Sequence, residues 1–333
     1  MTTTVPKVFA FHEFSDVAEA VADYVVYAQN GALNRKVKER KPSLAALNTS
    51  HSTGKVNELG TKRSEDGEGS EVQRVLSSKS VRSVGNDSSA SSVRRSSTKK
   101  KEVRFKIAIS GGSLIQVLHE GLLKRSDVQW GKWDMYFADE RLVPFNSNDS
   151  NYGQAKRKIL DLIDTEKYGK PNVYHIDESL IEDPQECADN YEKVLIKGFA
   201  GRDSVKLPMF DLFLLGCAPD GHIASLFPNF QENLREKLAW VVPVVKAPSG
   251  PSNRISLTIP VICHSHRVMF VVEGAVKAPV IKTIMERPEK GLPSSIVNEG
   301  AAGRVSWFVD DDALTDVFVT KKTYKFHNKI ESE

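Results

Sequence analysis

Apolar runs of about five to eight residues alternate with segments of helical period along most of this chain, and that alternation leaves few architectures open. KVFAFHEF is rich in β-forming residues. SDVAEAVADYVVYAQNGAL follows it, with Val17, Ala20, Val21, Tyr24 and Val25 recurring at three- and four-residue intervals and Ser15 placed as its N-cap. VRFKIAIS, WDMYFADER, NVYHID, FDLFLLG, VVPVV, RISLTIP, RVMFVVEG and VSWFV read as further strands. GGSLIQVLHEGLLKRS, SNYGQAKRKILDLI, ECADNYEKVLIKGFA and APVIKTIME read as the helices between them. Strands separated by helices of this length predict an α/β fold, a mostly parallel sheet covered by helices on both faces.

The alternation is interrupted once, after its first unit. Residues 34–102 hold many serines, no aromatic residue and no persistent apolar period, which predicts a long disordered insertion in a single domain built from 1–33 and 103–333. This stretch carries 16 Lys and Arg against 8 Asp and Glu, so the basic character of a chain with net charge +3 belongs to the insertion. A connection from a first helix to a parallel strand enters the sheet at the strands' N-terminal ends, so the insertion is expected to leave from there. Its SVRS and RRSS sequences offer Ser80, Ser83, Ser96 and Ser97 as candidate phosphorylation sites for a basophilic kinase.

Three cysteines, Cys187, Cys217 and Cys263, are too far apart to suggest a disulfide framework or a zinc site, so no metal is expected. His264 and His266 alternate on a strand-like segment, but no third ligand stands at a defined spacing, and a surface position is expected. The N-terminus lacks a basic region followed by an apolar one, and no apolar run is long enough to span a bilayer. A soluble protein of the cytoplasm is the expectation, with no membrane partner.

Ionisable residues gather where strands end. LLGCAPDGHIASLFPN places Asp220 and His222 in a turn after an apolar run, and strand ends in open α/β sheets are where ligands collect. A lone histidine in a turn more often serves the turn itself. SGGS, Ser110 to Ser113, ends one strand and opens a helix, so the backbone N–H groups of Gly111 and Gly112 would form an anion cradle. It is neither a Walker motif nor a complete GxGxxG, so no nucleotide cofactor is expected. Asp139, Glu140 and Arg141 follow MYFA at the next strand end, where an arginine can grip an anion with both nitrogens. Ser150, Asn151 and Tyr152 read as the N-terminus of a helix. Arg254 and Lys277 are single cations beside an apolar strand and a helix start.

In this order, SGGS, DERLVP with SNY, LLGCAPDGHIASLFP, RISLT, EGAVKA and LPSSIVN before VSWF, the chain resembles the 6-phosphogluconolactonase family, within the glucosamine-6-phosphate isomerase superfamily. The resemblance covers nearly everything outside the insertion. It implies hydrolysis of 6-phospho-D-glucono-1,5-lactone without a cofactor, in the oxidative pentose phosphate pathway. His222 matches the family's general base, and Asp220 would orient the turn or the imidazole. Asp139 matches an acid of the related deaminases. Ser110, Gly111, Gly112, Arg141, Arg254 and Lys277 match the residues around phosphate and lactone. Two features depart from the family pattern: Ala218 replaces the second glycine of GxGPDGH, and the insertion replaces a short turn. The fungal, yeast Sol-type subgroup includes true lactonases and also paralogues linked to tRNA distribution, and both departures make the chain look like the second kind. That likeness implies a second function, a weakly active or inactive paralogue linked to tRNA export, with nuclear as well as cytoplasmic location. The basic insertion would supply at most a nonspecific or indirect link to tRNA, because it lacks stacking aromatics.

Overall fold

The structure is a computed structural model that describes residues 6–35, 102–199 and 206–327. Contacts divide the chain into one unit of Met1–Arg35 with Glu102–Glu333 and a second of Lys36–Lys101. The second unit, with Ser80, Ser83, Ser96, Ser97 and the expected disorder, lies outside the described residues.

The strands of the first unit are β1 (Lys7–Phe11), β2 (Phe105–Ile109), β3 (Trp133–Phe137), β4 (Asp139–Arg141), β5 (Asn172–Tyr174), β6 (Leu212–Leu215), β7 (Val241–Val244), β8 (Arg254–Leu257), β9 (Val268–Val272), β10 (Val305–Asp310) and β11 (Lys321–Lys322). Its helices are α1 (Phe14–Leu33), α2 (Ser113–Leu122), α3 (Asn151–Lys158), α4 (Thr165–Tyr168), α5 (Pro184–Phe199), α6 (Gln231–Arg235), α7 (Ile259–Cys263), α8 (Ala278–Glu286) and α9 (Pro293–Gly300). Eight strands form a parallel sheet in the order β11-β1-β10-β9-β6-β2-β3-β5.

The central strands are apolar at successive positions because both of their faces are covered. In β2, β3 and β6 the side chains of Phe105, Ile107, Ile109, Trp133, Met135, Phe137, Leu212 and Leu214 enter one core with α1 and α2. The alternate residues Ala108, Tyr136, Phe213 and Leu215 enter the other core with α5, α7 and α9. The period of two thus sorts one chain into two cores, each fully buried Leu or Val adding roughly 1.5–3 kcal/mol.

Two local expectations change. Helix α1 opens two residues early, with Glu13 instead of Ser15 as N-cap and no side-chain cap bond, so Ser15 falls inside its first turn. The segment holding His264 and His266 is not a strand: His264 caps α7, and His266 Nε2 lies 2.8 Å from Arg35 Nη1. Among the described residues no group of three or more His, Cys, Asp or Glu could hold a metal.

A three-stranded antiparallel sheet, β4-β8-β7, stands apart from the main one. The chain changes sheets at Ala138, whose N–H donates to Ile109 O of the parallel sheet (2.8 Å) while its carbonyl accepts from Leu257 N of the small sheet (2.8 Å). VVPVV and RISLTIP, read as strands of one mostly parallel sheet, belong to this second one.

Candidate active site

Four neighbouring strands of the parallel sheet, β9, β6, β2 and β3, end at one rim, and the residues that follow them line a cleft. Glu273, Gly216, Ser110 and Asp139 are among the lining residues, with Gly111, Gly112, Arg141, His222 and Lys277. Strand ends of a parallel sheet leave the sheet side by side, so turns far apart in sequence become one site.

The SGGS turn is fixed by what its neighbours leave room for. Ser110 Oγ accepts from Gly216 N at 3.1 Å, tying the turn after β2 to the turn after β6. A Cβ on Gly111 would lie 1.8 Å from Asn151 Oδ1, so only glycine lets α3 approach. Gly112 N-caps α2 at φ 73° and ψ −143°, a region that L side chains avoid, with no side chain capping the helix. The amides of the first turn of α2 therefore remain directed at the rim, where an anion would be favoured.

Glu140 joins the short strand β4 to α3. Its carboxylate accepts from Asn151 N (2.7 Å), Tyr152 N (2.8 Å) and Arg141 N (2.8 Å), and Ser150 Oγ caps α3 by accepting from Gly153 N (2.9 Å). Burial pushes the Glu140 carboxyl up to about 7 despite these three donors. With Glu140 turned inward, Asp139 and Arg141 on either side are presented to the cleft, as the period of a strand requires. Ser225 Oγ donates to Asp139 Oδ2 at 2.8 Å, and Arg141 Nε stands 3.9 Å from the same oxygen. Arg141 Nη1 donates to Asp149 O (2.8 Å), leaving Nε buried without a hydrogen-bond partner.

The DGH turn begins with two backbone bonds, Gly221 N to Ala218 O (2.9 Å) and Ala218 N to His222 O (3.1 Å). Pro219 and Asp220 take its central positions, and Gly221 turns out with φ 84°. Asp220 Oδ1 lies 2.6 Å from His222 Nδ1 and also accepts from His222 N (3.1 Å). Burial alone would raise the Asp220 carboxyl, but the hydrogen bonds from His222 outweigh it and hold it below the ordinary carboxylate range. An ionised carboxylate can only accept, so Nδ1 carries a proton, and in the neutral imidazole Nε2 is then the nitrogen with the lone pair. The imidazole packs on Phe227, ring centroids 4.4 Å apart. The positive-φ residues other than glycine are Ala224, Lys246 and Asp316 among those described, so Ala218 needs no left-handed backbone.

The structure brings Ser110, Gly111, Gly112, Asp139, Arg141, His222 and Lys277 to one cleft, with Asp220 behind the imidazole. Lys277 Nζ donates to Cys217 O at 2.8 Å. Arg254 does not line the cleft. It stands directly across from Arg141 in the β4-β8 pair, bonded to Pro251 O and Ser249 O, with its guanidinium 5.3 Å from the Phe227 ring. Burial first, then the charge of Arg141, lowers its pKa.

Asn151 and Glu273 escaped the sequence reading as site residues. Glu273 follows β9 as Asp139 closely follows β3, so its place after VMFVV was the available signal. Its Oε1 is buried without a partner, and burial, then the charge of Asp310, pushes its carboxyl up to about 7 against the pull of Lys277. Asn151 looked like a helix start only, since nothing in SNY shows that its side chain meets Gly111.

Residues 83–307 match the family model for glucosamine-6-phosphate isomerases/6-phosphogluconolactonase. The chain is 76% identical to the 6-phosphogluconolactonase-like protein 2 of Saccharomyces cerevisiae over 99% of both chains. It is 43% identical to a probable 6-phosphogluconolactonase of Schizosaccharomyces pombe, over 64% of this chain and 83% of that one. The fold is shared with a solved 6-phosphogluconolactonase of Trypanosoma cruzi, with a TM-score of 0.61, 21% identity, and 95% and 98% of the two chains covered.

Proposed function

As this chain belongs to the glucosamine-6-phosphate isomerase/6-phosphogluconolactonase family, we propose that it hydrolyses 6-phospho-D-glucono-1,5-lactone with His222 as general base. The observation that carries this reading is the 2.6 Å contact of His222 Nδ1 with Asp220 in a cleft that also holds an anion cradle and two cations. The proton on Nδ1 leaves Nε2 free to take one from water as the water oxygen attacks the lactone carbonyl carbon. The carbonyl electrons move to oxygen, where Lys277 or a backbone N–H would meet the developing charge. Collapse of the tetrahedral intermediate breaks the bond to the ring oxygen, which takes the proton back from His222, and the chain opens to 6-phosphogluconate. Arg141 and the amides of Gly111, Gly112 and the first turn of α2 supply the chemistry to hold the phosphate. A lactone ester is reactive already, so placement, one base and one oxyanion donor suffice.

Lactone hydrolysis by the purified chain, corrected for the spontaneous rate, tests the reading. His222→Ala should lower kcat by roughly 10²–10⁴-fold, and Asp220→Asn by less. An unchanged rate in His222→Ala would overturn the assignment of the base.

A second reading rests on one comparison. Near-complete matches include proteins named lactonase-like, whereas the probable lactonase of Schizosaccharomyces pombe matches 64% of this chain. On this reading the chain has little or no activity and acts in the distribution of tRNA between nucleus and cytoplasm. Its discriminating outcome in the same assay is a wild-type rate no greater than the spontaneous one.

A further inference from the structure

A second cavity lies at the other end of the parallel sheet, where the strands begin. It encloses about 610 Å³, against about 140 Å³ for the cleft, within the range of small-molecule sites. Cations and aromatic rings line it.

The register explains why the cations are together. Lys7 opens β1 opposite Ser306 of β10. Arg304 immediately precedes β10, and its carbonyl accepts from Val268 N, the first residue of β9, which Arg267 precedes. Three neighbouring strands thus each start at or just after a cation, about one strand spacing apart. Lys325 joins them from the C-terminal segment. Arg35, also on the wall, is neutralised by Asp211 at 2.5 Å. Lys7, Arg267, Arg304 and Lys325 form no ion pair with a carboxylate among the described residues. Arg304 Nη1 donates to Ser265 O and Arg267 packs on Tyr27, but adjacent like charges oppose folding, so these contacts do not account for gathering all four cations.

The aromatic part of the wall is ordered around Tyr27. The Arg267 guanidinium lies 5.4 Å from its ring centroid, and the His327 ring stacks on it at 4.0 Å and 16°. Tyr24, Phe9 and Tyr324 continue the apolar lining. Several cations without a carboxylate partner beside flat apolar surface match a ligand with more than one negative charge and a planar ring.

We propose that this cavity is a second anion site, distinct from the cleft, that takes a small molecule of the nucleoside diphosphate class. Its phosphates meet Lys7, Arg267, Arg304 and Lys325, and its base rests on the aromatic wall. The site stands independently of lactone hydrolysis.

Calorimetric titration of the full chain with ADP, with pyrophosphate and with adenosine tests the charge and the ring separately. ADP should bind saturably and at least roughly fivefold more tightly than pyrophosphate, and adenosine should show no saturable binding. Lys7 and Lys325 are exposed, and their side chains form no hydrogen bond or ion pair among the described residues, so Lys7→Gln with Lys325→Gln probes the site without disturbing the fold. That pair should weaken ADP at least roughly tenfold, Arg267→Gln should weaken it also, and Lys277→Ala in the cleft should leave it unchanged. Absence of saturable ADP binding overturns the proposal. So does equal binding of pyrophosphate, ADP binding that survives the two lysine changes, or ADP binding lost in Lys277→Ala.

Discussion

Ala218 shows what a single residue in a motif can and cannot reveal. Set against a pattern that has glycine there, it raises the question of a strained turn, and sequence alone leaves both backbone conformations open. The structure places the strain six residues later: Ala224 has φ 48°, while Ala218 precedes Pro219 without a positive φ. Ala218→Gly should therefore change kcat/KM for the lactone by less than about twofold and lower stability by roughly 0.4–1 kcal/mol, because glycine loosens the unfolded chain. Ala224→Gly should instead raise stability by about 1 kcal/mol, since an L residue pays for the left-handed region. Urea unfolding of the two variants checks the contrast, and a gain of activity confined to Ala218→Gly would show that the methyl group, not the backbone, obstructs the cleft.

At the scale of elements, most strands and helices were legible because burial on both faces writes long apolar runs and helix faces write a period of 3.6. The small antiparallel sheet was not legible. WDMYFADER contains no glycine or proline at Ala138, where β3 gives way to β4, because the change of sheet is made by two backbone hydrogen bonds that any residue could form. DER thus read as charge at the end of a strand, and the role of Glu140 as the link from β4 to α3 could not be seen. That link has a pH signature. With its native pKa raised to about 7 from an ordinary carboxylate value, Glu140 holds a proton in the folded state that the unfolded chain has released. Its contribution to stability is then full below about pH 4.5 and is lost as pH rises through 7. Glu140→Gln removes this dependence, so the stability advantage of the wild type over the variant should shrink by about 2–3 kcal/mol between pH 5 and pH 8. Denaturant unfolding at the two pH values measures it, and an advantage that grows with pH would mean that the three N–H donors, not burial, govern this carboxyl.

For the whole molecule, strand order was the least legible property, since β1 pairs with β10 at the far end of the sequence and the apolar runs carry no mark of their neighbours. The position of the interruption is better explained by the fold. Arg35 and Lys106, which flank residues 36–101, meet at one carboxylate: Asp211 accepts from Arg35 Nη2 at 2.5 Å and from Lys106 N at 2.8 Å. The two ends are thus held together by the α/β unit itself, at the start of β2, while the candidate cleft is built at the strand ends. A long closed loop costs only slowly increasing entropy, so replacing residues 36–101 by about six Gly and Ser residues should stabilise the unit by about 2 kcal/mol. Lactone hydrolysis should stay within about twofold of the full chain, because the cleft residues named above all belong to the α/β unit. If the tRNA reading holds, that replacement removes 15 of the chain's 46 Lys and Arg and with them its net positive charge, and tRNA binding should fall together with its dependence on salt. Thermal unfolding, lactone turnover and tRNA titration on this one variant separate the cases. A destabilised or inactive variant would make the segment part of the folded unit, and undiminished tRNA binding would move the electrostatic footprint onto the α/β unit.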